Sequence, residues 1–464
     1  MPIEPTPAPV SGRKKFFRRR ALFAIASLIT IVALFYVVEN WRGQRAWEAH
    51  KRELLAKGEK IDWKDFIPPL VPDDQNILKV PIVDALLNRT AKNTNDIKRL
   101  LEMCNREGAI DLSHRRSTVL AEIKILPAGS IPAATATTNP VDKIYRLDEL
   151  IPAKNDQSSG FPREFGKLIG VTMLDDPAGY EIFHRKRGGP PVRINLQLEE
   201  SGDRQKLEKS FAEIGFESSG DPSVLILHLP KRGMFAEDLV EWLRPFQPDL
   251  NQLAEAFKRP FAHMDEDYSE PIYIPIPNFV NARTLAQMAG AAAKAHLLLG
   301  EPEAAVRDLE LVVGLIKSLK DPYLVSAMIR DAIAGLYVAV VTDGFVEGLW
   351  REPQWAALQK QMSGLELLST VSEAFEGEQA SLISVIERQP RLKLAKMFKS
   401  DEYRPVWLTR RGIYILLCPR GWLFQNELAE SRFYQKFLDA FDVKRERVDP
   451  QKIQEAASMG PLTP

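Results

Sequence analysis

Residues 295–310 read AHLLLGEPEAAVRDLE, and the way this stretch folds decides the architecture of the chain around it. Just upstream, NARTLAQMAGAAAKAHLLLG places Leu285, Met288, Ala292, Ala295 and Leu299 three or four residues apart. That spacing predicts a helix with one buried stripe, and its alanines allow a neighbouring helix to come close. Gly300 supplies a left-handed stop, and Glu301–Pro302 supplies a start. Proline in a first turn forfeits no hydrogen bond, and a carboxylate there complements the helix dipole. A stop and a start this close together predict a tight hairpin of antiparallel helices.

The same acidic–proline pair recurs at Asp321–Pro322 and Glu352–Pro353, predicting helices over 302–319, 322–345 and 353–368. In the first, Ala305, Leu309, Val312, Val313 and Ile316 form the buried stripe, and Arg307, Asp308 and Glu310 are expected to face water. The second is apolar nearly all round, which predicts a helix packed on two sides as the central layer of a stack. EQASLISVIERQPRLKLAKMF continues as helix. Beyond it, Trp422, Phe424, Phe433, Tyr434 and Phe437 recur at near-helical spacing; a core stripe is the favoured reading and a ligand platform the alternative.

Between this helical region and the N-terminus the texture is mixed. PVRINLQLEE (191–200) alternates with a period of two, SVLILHLP (223–230) is a second strand-like run, and DRQKLEKSFAEIGF between them carries Leu207, Phe211 and Ile214 on one helical face. Strand, helix, strand predicts a small α+β unit, its two strands parallel if they are neighbours. His228 lies in the second strand and is read as a sheet-face or core histidine. HMDEDYSE (263–270) gathers His263, Asp265, Glu266, Asp267 and Glu270, yet lacks the spacing and the glycine of a calcium loop, so a solvated acidic loop is expected. LPAGSIPAATATTNP (126–140) reads as a proline-punctuated loop.

The N-terminus carries the strongest single signal. Ala21 to Val38 is an uncharged apolar run of 18 residues, which at about 1.5 Å per residue comes near a hydrocarbon core of about 30 Å. Arg13, Lys14, Lys15, Arg18, Arg19 and Arg20 precede it, while Glu39 and Glu48 dilute the positive charge beyond. Positive charge is retained on the cytoplasmic side, so residues 1–20 are expected in the cytoplasm and the bulk of the chain across the membrane. Tyr36 and Trp41 suit the outer interface. LFYVVEN is too bulky for signal-peptidase cleavage, which favours an uncleaved anchor. A short stalk helix, Arg45 to Ala56, and a proline-rich spacer, DFIPPLVPDD, follow; the spacer is read as packing along the domain it introduces, with a docking peptide as the alternative.

The resulting organisation is a basic tail (1–20), a transmembrane helix (21–38), a stalk and linker (39–76), a mixed α+β region (77–270), a helical-hairpin domain (271–445) and a tail (446–464), mainly α in class. The 62 basic and 62 acidic residues cancel, so no overall field recommends nucleic acid. Cys104 and Cys418 fit no metal spacing and are read as buried thiols, with a long-range disulfide as the alternative. Nucleophile-elbow, zinc-protease, P-loop and dinucleotide motifs are missing from the sequence, and no catalytic, cofactor-binding or metal-ligating residue is assigned.

AKAHLLLGEPEAAVRDLELVVGLIKSLKDP resembles a tetratricopeptide-type hairpin over about one repeat, although the successive helix starts do not keep a constant period. The anchor, KIDWKDFIPPLVPDDQN, the hairpin and PRGWLFQNE together resemble an uncharacterised family of bacterial single-pass membrane-anchored proteins. That resemblance implies an inner-membrane location with a periplasmic bulk and no particular activity. The expected function is an anchored envelope protein that binds or organises another protein, its lipid partner being the bilayer around residues 21–38. The alternative is an anchored hydrolase of an envelope polymer or peptide, using the carboxylates of 265–270.

Overall fold

In the computed structural model, residues 12–88, 94–104, 119–126, 144–147, 163–175, 177, 181–185, 191–198, 202–213, 223–228, 234–264, 267–274, 276–398, 405 and 409–458 are described. The loop expected at 126–140 lies almost wholly outside them.

The chain opens with helix α1 (Gly12–Ala56), 45 residues without a break. The stalk helix expected from Arg45 is the end of this same rod, because nothing between Val38 and Arg45 stops a helix except the lone Gly43. A glycine inside a helix costs only about 1 kcal/mol. Residues 61–80 then strap the chain onto the 261–274 loop. Trp63 is fully buried and donates to the Tyr268 carbonyl at 2.6 Å. Asn76 donates to the His263 carbonyl at 2.7 Å and accepts from the His263 N–H at 3.1 Å. The proline spacer is thus anchored at both ends.

There follow α2 (Pro81–Leu87), α3 (Thr94–Cys104), β1 (Val119–Leu126), β2 (Ile144–Arg146), α4 (Arg163–Ile169), β3 (Val171–Asp175), β4 (Glu181–Arg185), β5 (Val192–Gln197), α5 (Asp203–Glu213), β6 (Val224–His228) and β7 (Met234–Phe235). The order β5, α5, β6 is as expected, but β5 and β6 are not neighbours. The four-stranded sheet runs β2-β5-β1-β6, with β1 parallel to β5 and antiparallel to β6. β5 and β6 therefore run antiparallel, and the parallel pairing expected of them as neighbours does not arise because β1 lies between them. β1 takes the place between them by putting Ala121 and Ile123 into the core, with Ile123 opposite both Ile194 and Leu225. A second sheet, β3-β4-β7, pairs β3 and β4 antiparallel and β4 and β7 parallel.

The helical part comprises α6 (Ala236–Leu243), α7 (Gln247–Ala256), α8 (Phe279–Leu298), α9 (Pro302–Ser318), α10 (Leu324–Val346), α11 (Glu352–Met362), α12 (Leu367–Arg388), α13 (Arg391–Met397), α14 (Arg410–Leu417) and α15 (Arg420–Leu438). A two-stranded ladder of β8 (Phe441–Asp442) and β9 (Arg447–Val448), then α16 (Pro450–Ser458), close the described chain. The protein is mainly helical with a small sheet region and an apolar N-terminal helix.

The hairpin folds as expected. Gly300 has φ +75°, Pro302 opens α9, and Leu285, Ala292, Ala295, Leu309, Val312 and Ile316 share one core. Residues 77–87, Leu100 and Leu243–Ala256 pack into that same core. Two helix starts differ. α10 begins at Leu324, leaving Pro322 outside it, because α12 crosses there so tightly that a Cβ on Gly377 would meet the Pro322 carbonyl oxygen at 2.3 Å. The predicted 353–368 helix breaks at Ser363, and Glu366, with φ +41°, separates α11 from α12.

Asp308 also departs from expectation. Instead of facing water it meets His296 across the hairpin, Oδ2 to Nδ1, at 2.6 Å. Burial works against the imidazolium, but the Asp308 hydrogen bond and charge outweigh it and hold the His296 pKa above its ordinary value.

Candidate functional site

Two places on this scaffold bear on what it can do: the exposed outer face of α10 and the close-packed junction between α1 and α15.

Helix α10 packs on α8, α9 and α12 with one face only. Inward, Ile333, Tyr337 and Val340 are buried, together with Arg330, whose Nε and Nη1 find no hydrogen-bond partner. Arg330 donates to the Leu365 carbonyl at 2.6 Å, Tyr337 to Gln361 Oε1 at 2.9 Å, and Asp343 meets Lys294 at 2.5 Å. Outward, Val325, Met328, Val338, Phe345 and Val346 are exposed, Met328 by 63% and Phe345 by 66%. This overturns the expected central layer: a helix apolar all round was read as covered all round. Trp355 and Met362 of α11 add further exposed apolar surface, and Trp355 meets Phe345 edge-on with ring centroids 5.7 Å apart.

At the second place, α1 crosses α15 at two glycines. A Cβ on Gly43 would sit 2.1 Å from the Gly421 carbonyl oxygen, and one on Gly421 would sit 1.9 Å from that of Glu39, so no larger residue fits either position. Asn40 Oδ1 accepts from the Gly421 N–H at 2.9 Å, and Glu39 accepts from the Trp422 indole at 3.0 Å. Further along, the Trp47 indole donates to Glu387 at 3.1 Å, and Gln379 donates to the Ser431 hydroxyl at 2.8 Å, which also meets His50 Nε2 at 3.0 Å.

Ser431 beside His50 is not a nucleophile and base in waiting. Ser431 is fully buried between helices, so no substrate can reach its oxygen. Burial and the Arg432 charge lower the His50 pKa, keeping the imidazole neutral. Glu427, one turn before Ser431, is 1% exposed, and one of its carboxylate oxygens has no hydrogen-bond partner. Burial first, then the Glu387 charge, pushes its pKa up to about 8. The fold therefore keeps Glu427 protonated, and the stability this confers falls as pH rises from the unfolded value of 4.5 through about 8.

The residues singled out from sequence are scattered. Asp267 is exposed and accepts from the Ser269 N–H at 2.9 Å, while Glu270 points away to Lys393 at 2.8 Å; Asp265 and Glu266 lie outside the described residues. His263 is buried with its ring against Tyr268, beside a cavity of about 130 Å³ lined also by Lys79, Asp84 and Asn88. A drug-sized ligand needs roughly 300 Å³ or more. Among the described residues no three His, Cys, Asp or Glu side chains gather as a metal site would require.

Cys418 is a free, buried thiol, whereas the side chains of Cys104 and His228 lie outside the description. The aromatic run divides in two: Trp422 stacks on Tyr414, whereas Phe433, Tyr434 and Phe437 gather around Phe375. The glycine pair that seats α1 on α15 carries no local pattern in either strand of sequence and becomes visible only when the two helices cross. Comparison with family models, with curated proteins and with solved structures returned no match.

Proposed function

We propose that this chain is a single-pass membrane-anchored protein whose helical domain, held beyond the membrane, binds a protein partner along the outer face of α10. Residues 21–38 cross the bilayer, residues 1–20 stay in the cytoplasm, and in a bacterial cell the rest is periplasmic. The hairpin of α8 and α9, tetratricopeptide-like over one repeat, is the support on which α10 is displayed.

One observation carries the reading: α10 is buried on one side and shows an apolar stripe on the other. A monomeric surface rarely leaves large apolar side chains contiguous unless something covers them. An amphipathic helix or groove of a partner is the complementary surface. The test is photo-crosslinking in cells from an unnatural residue placed at Met328 or Phe345, compared with one at Glu310. A discrete adduct from the first two positions, lost when Val338→Asp is added, is expected. The same diffuse pattern from all three positions would sink the proposal.

A further inference from the structure

The level at which the folded domain meets α1 has a consequence for the membrane. The uncharged stretch of α1 ends at Val38, and Glu39 is the first charge after it. Tyr36 lies inside that stretch, about 4.5 Å before Glu39 along the helix axis at 1.5 Å per residue. The Tyr36 hydroxyl donates to the carbonyl of Leu417, the last residue of α14. One residue earlier, Phe35 meets the Trp422 ring edge-on, with centroids 6.1 Å apart. The end of α14 therefore touches α1 within its apolar segment and not beyond it.

Resting on the membrane-anchor reading above, we infer that α14 is seated in the interfacial zone of the bilayer, against anionic phospholipid, so that the domain sits on the membrane with no stalk beneath it. Leu417 is 66% exposed and Ile413, one turn away on the same face, 41% exposed. That apolar edge continues the lipid-facing surface of α1. At the opposite end of α14, about 10 Å away along its axis, Arg410 and Arg411 are exposed and can reach phosphate while the apolar end stays below them.

The backbone is prepared for such a place. The last carbonyls of a helix lack partners within it, and lipid offers none. Here each is supplied from a side chain: Leu417 by Tyr36, and Leu416 and Cys418 by Arg391 at 3.3 and 2.6 Å. Trp422 and Tyr414, stacked 5.9 Å apart beside them, are the residue types that favour a membrane–water interface.

The test uses the full-length chain in vesicles of phosphatidylglycerol and phosphatidylcholine, with Cys104→Ser and Cys418→Ala removing the native thiols. A fluorophore is attached in turn at Leu28→Cys, Leu417→Cys, Ile413→Cys and Met362→Cys, and its quenching by lipids carrying nitroxide at shallow or deep positions is read. Expected is deep quenching at Leu28, shallow quenching several-fold above the Met362 background at Leu417 and Ile413, and weaker shallow quenching in purely phosphatidylcholine vesicles. If Leu28 is quenched but Leu417 and Ile413 match Met362, the domain stands clear and the inference fails while the anchor survives. An unquenched Leu28 removes the anchor and the inference together. Leu417 and Ile413 shielded from iodide in water but unquenched by lipid would assign the patch to a protein contact and overturn it. Equal quenching in both vesicle types overturns the role given to anionic headgroups.

Discussion

Two helices of this chain, α1 and α10, are both long and apolar enough to cross a membrane, and the protein treats them in opposite ways. The rest of the fold buries no residue in the apolar window of α1. That of α10 is 39% buried; Tyr337 meets Gln361 and Asp343 meets Lys294, while Arg330 donates to a carbonyl through Nη2 and leaves its Nε and Nη1 without a hydrogen-bond partner. Apolar content is common to both, so it does not by itself say which of them the rest of the chain packs on. What separates them is how much of the apolar window the rest of the chain covers.

The largest effect is expected from setting charge into the first helix. Leu28→Arg with Ile31→Arg places two cations near the middle of the window, opposing insertion by about 5–7 kcal/mol in all, at roughly 2.5–3.5 each. Alkaline washing of membranes should then release the variant, while Met328→Arg with Val338→Arg on α10 should leave retention unchanged. Release of both, or of neither, would erase the distinction drawn between the helices.

A middle-sized effect probes the other side. Asp343→Ala deprives Lys294, whose side chain is 2% exposed, of its carboxylate. Breaking a buried pair from one side costs on the order of 3–5 kcal/mol; because Asp343 is itself one-third exposed, the lower end is expected, read as a fall in unfolding temperature. A change below about 0.5 kcal/mol, the range of ordinary surface substitutions, would mean that α10 does not depend on its matched charges.

The smallest effect sits at the hairpin supporting α10. His296 has its pKa raised in the fold, so the stabilisation from its pair with Asp308 is full below pH 6.5 and fades as pH rises through the raised value. Asp308→Asn should remove that fading and about 1 kcal/mol of stability at low pH. Denaturant titrations at pH 5.5 and 8.5 check it, and parallel curves for the two proteins would refute it.

Much of the architecture was legible along the chain because it is written in local chemistry. Gly300 and Pro302 mark a turn wherever they occur, and the stripe of Leu285, Ala292 and Ala295 marks a face. What stayed hidden depends on residues far apart. Nothing near Pro322 announces that α12 will press on it and delay α10 by two residues. Nothing in α10 says which of its two apolar faces will be covered, since that is set by how many neighbours arrive. Asp308 looked like a surface residue because its partner, His296, lies on the other arm of the hairpin, across the turn.

The candidate interfaces were the least visible part. The α1–α15 junction needs Gly43 and Gly421 at one crossing, 378 residues apart in the chain. The exposed stripe of α10 required knowing what fails to cover it. Of the carboxylates of HMDEDYSE, conspicuous as a string, the two described ones part company: Glu270 is drawn to Lys393, and Asp267 caps its own turn.

The unbroken course of α1 carries one more implication. A 45-residue helix is a rod of about 68 Å, and a helix advances by about 100° of rotation and 1.5 Å of rise per residue. With no hinge between the apolar window and the glycine crossing, the azimuth of the domain is geared to the azimuth of the apolar segment. One alanine inserted between Val32 and Ala33, ahead of the Phe35 and Tyr36 contacts, would swing α14 and α10 a quarter-turn or so about the N-terminal part of the rod, and seven would return them to nearly their original heading, about 10 Å further along it. If residues 21–38 span the bilayer as proposed, orientation toward a neighbour in the membrane plane is encoded in residue count, as the thread of a screw encodes angle in depth.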